Sequence, residues 1–139
     1  MTGKSINEIS VGDKASFTKT ITEGDVYNYA GVTGDMNPAH INEEHAKNTM
    51  FKTRIAHGML GGGLISAVLG MNLPGPGTIY LNQTLTFTAP VKFNDTITAE
   101  VEVIEKIEEK NRIKLSTICK NQDDKVVIKG EALVMPPKK

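Results

Sequence analysis

In "GDMNPAH", residues 34–40, Asp35 and His40 stand five positions apart across the dipeptide Asn37-Pro38. A carboxylate and an imidazole side by side can work as an acid–base pair, one accepting a proton while the other delivers one. Pro38 sets its own φ and holds Asn37 extended, so the link is stiffer than an average loop. The same residues also suit a capped turn, in which Asp35 or Asn37 binds nearby amides. Spacing alone does not separate the two readings, and it favours the turn.

A second stretch, "HGMLGGGLIS" from His57 to Ser66, bears on the choice. A helix beginning near Gly58 points its first, unpaired amides at whatever lies before it. Those amides and the helix dipole favour a developing negative charge. Gly58 has no side chain to obstruct approach. Gly58, Gly62 and Ser66 fall on one helix face, giving a smooth groove with one hydroxyl, unless Ser66 bonds its own i−4 carbonyl. Gly61 and Gly63 are expected to pack against a sheet. Asp35, His40, His45 and His57 cluster in sequence, but no HExxH-type zinc spacing occurs, so metal binding ranks below acid–base use. "LPGPG" (73–77) lacks the Gly-Lys-Ser/Thr of a phosphate loop and reads as a turn. No dinucleotide fingerprint is present, and no cofactor is expected.

These groups must be positioned by the rest of the chain. With 139 residues, 16 basic against 16 acidic, it has the size of one domain and no net field to gather nucleic acid. The single cysteine, Cys119, sits in the alternating "KLSTICK" and reads as a small buried thiol. The N-terminus has no apolar stretch of signal-peptide length, and the longest apolar stretch falls short of the roughly 20 residues of a membrane span. A soluble cytoplasmic protein is the expectation. "ASFTKTI" (15–21) predicts a first strand. "TEGD" predicts a helix capped by Thr22 and Asp25, running through Val26, Tyr27 and Tyr29 and stopping near Gly31. A short helix should follow Asn42, with Glu43 and Glu44 at its positive end. Residues 57–70 predict a helix buried on most sides. After residue 78 the period becomes two. "YLNQTLTFTAP" should put Leu81, Leu85 and Phe87 on one face; "TITAEVEV", "RIKLSTICK" and "KVVIKGEALVM" continue the pattern. The sum is an α+β chain, one antiparallel sheet wrapped around one helix over residues 1–139, with an edge strand suited to pairing with a second copy.

"GDMNPAHINEEHAKNTMFKTRIAHGML" resembles the signature segment of the MaoC-like (R)-specific enoyl-CoA hydratases, and "TLTFTAPVKFNDTITAEVEV" resembles the strand pair that follows it. The likeness runs from about Phe17 to Ala132, and Asp-x-Asn-Pro-x-His with a downstream His-Gly-Met is its specific element. It implies a hot-dog fold, an antiparallel sheet around a long central helix, working as a homodimer. It implies reversible syn addition of water to a trans-2-enoyl thioester of CoA or a carrier protein, giving the (R)-3-hydroxyacyl thioester. Asp35 and His40 become the catalytic pair, Asn37 and Ser66 supporting groups, and Gly58 the amide that binds the thioester carbonyl; no metal is implied. Two other functions compete: a hot-dog thioesterase, which needs an acid or base aimed at the thioester carbon, and a passive acyl-thioester-binding module, which needs neither Asp35 nor His40.

Overall fold

The computed structural model describes residues 1–139. Strand β1 (Lys14–Thr20) leads into helices α1 (Glu23–Thr33), α2 (Pro38–Ile41), α3 (Glu43–Ala46) and α4 (Gly58–Met71). Strands β2 (Ile79–Gln83), β3 (Thr86–Phe87), β4 (Thr96–Ile107), β5 (Arg112–Lys120) and β6 (Val126–Met135) follow. The strands form one sheet in the order β1-β4-β5-β6-β2, with β3 also on β6, and every pairing is antiparallel. No helix is long and apolar enough to cross a membrane.

The α1 cap forms as its sequence predicts. Thr22 Oγ1 accepts from the Asp25 amide at 3.1 Å and Asp25 Oδ2 accepts from the Thr22 amide at 2.9 Å, satisfying two amides that the helix cannot. The helix does not stop at Gly31. It continues to Thr33, and Gly34 at φ 82° supplies the left-handed C-terminal turn, a conformation that costs glycine nothing.

In β4, Ile97, Ala99, Val101 and Val103 are buried while their neighbours are half-exposed, and Ile113, Leu115, Thr117 and Cys119 repeat the pattern in β5. Facing them, α4 buries Leu64, Ile65, Val68 and Leu69. Each fully buried Val, Leu or Ile contributes about 1.5–3 kcal/mol of transfer free energy, so this layer is what holds α4 on the sheet. Gly61 allows the close approach: a Cβ there would lie 2.4 Å from Ile128 Cδ1. Cys119 beside it is fully buried, and burial pushes its thiol up to about 12.

Two expectations need correction. Gly63 does not pack on the sheet, since a Cβ there would meet nothing within 4 Å. Accordingly, α4 keeps one open side, with Met59, Gly63, Ser66 and Met71 exposed. "YLNQTLTFTAP" is not one half-buried strand: the register shifts between Tyr80 and Asn82, and Leu81 and Phe87 are 41% and 50% exposed. Leu85 alone of its expected apolar face packs on the core. The stretch lies at the sheet's β2 edge, where no further strand covers Leu81, while the Phe87 ring lies against Gly58 at the start of α4.

Candidate active site

The Asp35–His40 segment forms the capped turn, and that turn also brings the two side chains close to one another. Asp35 Oδ1 accepts from the Asn37 amide at 3.2 Å and Asn37 Oδ1 accepts from the Ala39 amide at 3.0 Å. Pro38 occupies the first turn of α2, where its missing N–H costs nothing. The capped turn is therefore the device that sets His40, one turn along, at a defined angle to Asp35. Asn37 takes part through this cap.

His40 is fixed further by an acceptor 15 residues away: its Nδ1 lies 2.7 Å from the Ile55 carbonyl. A carbonyl only accepts, so Nδ1 carries the hydrogen and Nε2 is the nitrogen left for a substrate. His57, buried at the N-terminal boundary of α4, donates from Nε2 to the Asp35 carbonyl at 2.9 Å. Its ring lies 3.8 Å from that of His40, centroid to centroid, with 30° between planes. Its other nitrogen, Nδ1, is buried without a partner, an omission that costs about 1–3 kcal/mol. The sequence places His57 in the downstream His-Gly-Met and among the metal-ligand candidates, and nothing in its spacing from Asp35 announces this contact.

One polar atom from each of Asp35, His40 and His57 falls within 4.8 Å of the others. His45 is exposed on α3 and outside that group. An imidazole lone pair lies in the ring plane, and two rings packed one over the other at 30° do not aim their lone pairs at one point. One nitrogen of each ring is also engaged by a backbone carbonyl. The arrangement suits proton transfer better than chelation.

Beside the pair lies an open cavity of about 530 Å³, whose lining includes His40, Ile55, Gly58, Met59, Phe87 and Ile128. Gly58 is thus set with His40 on one cavity, where the first amides of α4 are available to an oxyanion. A Cβ at Gly58 would stand 2.8 Å from the Phe87 ring, so the bare residue keeps that wall accessible. Ser66 is not brought there. With Gly62 it lines a second cavity of about 470 Å³, bounded by Tyr80, Leu81 and Gln83 and sharing Met59 with the first. Eight residues of helix separate Ser66 from Gly58 by about 12 Å, too far for one small group to touch both.

Arg54 clips the segment before α4 to the early helices. Its Nε donates to Glu43 Oε2 at 2.9 Å and its Nη1 to the Tyr27 hydroxyl at 2.5 Å. The guanidinium also lies over the Phe93 ring, 4.8 Å from its centroid. The Arg54 hydrogen bond holds the Glu43 carboxyl below the usual carboxylate range. Since Ile55 follows directly, this clip also steadies the acceptor of His40.

The MaoC-like domain family matches residues 7–125. The chain belongs to this family. Among curated MaoC-like relatives, it is 55% identical to an (R)-specific enoyl-CoA hydratase of Rhodospirillum rubrum, over 94% of this chain and 90% of that one. It is 49% identical to a 3-hydroxybutyryl-CoA dehydratase of Methylorubrum extorquens, over 95% and 83%. The unliganded (R)-hydratase of Pseudomonas aeruginosa superposes with a TM-score of 0.94 at 49% identity, over 99% of this chain and 88% of that one. The antiparallel sheet around α4 is accordingly the hot-dog fold that the motifs implied.

Proposed function

We propose that this MaoC-like chain catalyses reversible syn addition of water to a trans-2-enoyl-CoA, giving the (R)-3-hydroxyacyl-CoA, with residues 1–139 acting as one hot-dog unit. The observation that carries the reading is a carboxylate and an imidazole within 4.8 Å of one another, beside an apolar cavity that also reaches the N-terminus of α4. Asp35 takes a proton from water as its oxygen bonds to the β-carbon. The electron pair of the C=C bond moves toward the thioester oxygen, where the Gly58 amide stabilises the charge; one such donor is worth about 3–4 kcal/mol in the transition state. His40, entering the step protonated on both nitrogens, delivers its Nε2 proton to the α-carbon on the same face while Nδ1–H stays on the Ile55 carbonyl; the proton that Asp35 took from water then passes to His40 Nε2 and restores the pair. CoA, or the phosphopantetheine of a carrier protein, is the substrate's handle.

The working form in the cytoplasm is a homodimer. Support comes from the β2 edge, where Ile79, Tyr80 and Leu81 are 53%, 40% and 41% exposed. Unpaired strand edges with apolar side chains are pairing surfaces. Leu81→Lys should shift the protein toward monomer in sedimentation; an unchanged mass would argue against this edge.

The function is tested by mixing the protein with crotonyl-CoA and following enoyl absorbance and free thiol separately. Loss of absorbance without thiol supports hydration. Thiol release supports a thioesterase, and binding without either change supports a passive module. An (S)-alcohol product would overturn the stereochemical assignment.

A further inference from the structure

His57 is a buried histidine that the chemistry above does not use. It is 3% exposed and precedes α4 without a side-chain cap bond. Its Nε2 donates to the Asp35 carbonyl, and one ring face lies against His40 while Tyr29 packs at 4.6 Å. Packing does not explain the residue type, because Nδ1 is buried unpaired. Phenylalanine would fill the space without that loss.

The polar atom that finds a partner explains the choice. Asp35 is exposed, in the connection between α1 and α2. Its other hydrogen bonds, from its amide to Thr33 Oγ1 and to Oδ1 from the Asn37 amide, stay within that connection and its flanks. The His57 bond is the one that ties Asp35 to the central helix, 22 residues away. The same ring presses on the imidazole of His40, whose tautomer the Ile55 carbonyl sets.

We propose that His57 is a positioning residue for the hydration: its Nε2–H fixes the Asp35 main chain and its ring face fixes the plane of His40. The inference rests on the hydratase reading. One contact to each member of the pair holds their separation, and a displacement of about 1 Å in such a pair can cost about 100-fold in rate.

The test uses the full chain, crotonyl-CoA and two variants. His57→Phe keeps a ring against His40 and removes the N–H; His57→Gln keeps an amide N–H of similar reach and removes the ring. His57→Phe should melt at or above the wild-type temperature, yet lose about 10- to 100-fold in kcat with KM within about 3-fold, a split that separates lost geometry from lost binding. His57→Gln should lose less, at least about 3-fold, because the tie to Asp35 is restored while the stack is not. Wild-type kcat in His57→Phe, or a rise in KM alone, overturns the proposal. If His57→Phe does not fold, His57→Gln decides, and wild-type kcat there refutes it. A wild-type protein inactive on crotonyl-CoA removes the hydratase reading and this inference together, whereas an active wild type with an indifferent His57→Phe removes only the inference.

Discussion

Asparagine at position 35 changes almost nothing but the chemistry. Its Oδ1 can still accept from the Asn37 amide, the 3.2 Å bond that shapes the turn. Asp35 is exposed, so the exchange should cost no more than about 0.5 kcal/mol in stability. What disappears is the ability to take a proton from water, a contribution of about 100- to 10,000-fold in rate, or about 3–5 kcal/mol. His40→Ala carries a structural cost as well. It removes the 2.7 Å bond to the Ile55 carbonyl and the ring contact with His57, together about 1–3 kcal/mol. At this chain length that is a fall of about 3–10 °C in Tm, so its rate must be read well below that temperature. Because both groups serve one addition step, the double variant should fall about as far as the worse single one, and not by the product of the two. The assay is the initial rate of enoyl absorbance loss on crotonyl-CoA, with the folded fraction measured by circular dichroism. An Asp35→Asn protein retaining more than about a tenth of wild-type kcat would refute the assignment of the base. Losses that multiply in the double variant would refute joint action.

Other consequences are separable from catalysis. Gly61→Ala places a Cβ 2.4 Å from the buried Ile128 Cδ1; overpacking of about 1–3 kcal/mol against a helix-propensity gain of about 1 predicts a net loss of up to about 2 kcal/mol, read by urea denaturation. Ile128 also lines the cavity with His40, so displacing it should raise KM for longer enoyl chains. The Lys19 hydrogen bond, aided by the Thr22 amide, lowers the Asp25 carboxyl in the folded state. The unfolded chain therefore binds the proton first, so this contribution is present above the ordinary aspartate range and is lost as pH falls through the folded value. Acid titrations should show Asp25→Asn less stable than wild type at pH 6 and the gap closing toward pH 2. Cys119, with its thiol raised to about 12 by burial, should resist a thiol reagent at neutral pH in the native protein and react on unfolding.

Local rules carried far in this chain. The Thr22–Asp25 cap, the period-two runs of β4 and β5 and the Asn37-Pro38 turn each depend on atoms within a few residues of one another, so their side-chain types alone predict them. Helix α1 runs past Gly31, the stop its sequence suggested, and ends at Gly34, the glycine that takes the left-handed conformation. The hydratase-like motif pointed to Asp35 and His40, whose polar atoms the fold brings within 4.8 Å, and to Gly58, on the cavity that His40 lines. Other features came only from the tertiary structure, because they join residues with no fixed spacing. His57 reaches Asp35 across 22 residues and His40 reaches Ile55 across 15. Ser66 shares a helix with Gly58 but opens onto a different cavity. Alternation likewise tells that a strand has two faces and not which one is covered. Leu81 and Phe87 stay about half-exposed at a sheet edge, and their environment depends on the order of strands in the sheet, which chain-local propensity does not encode.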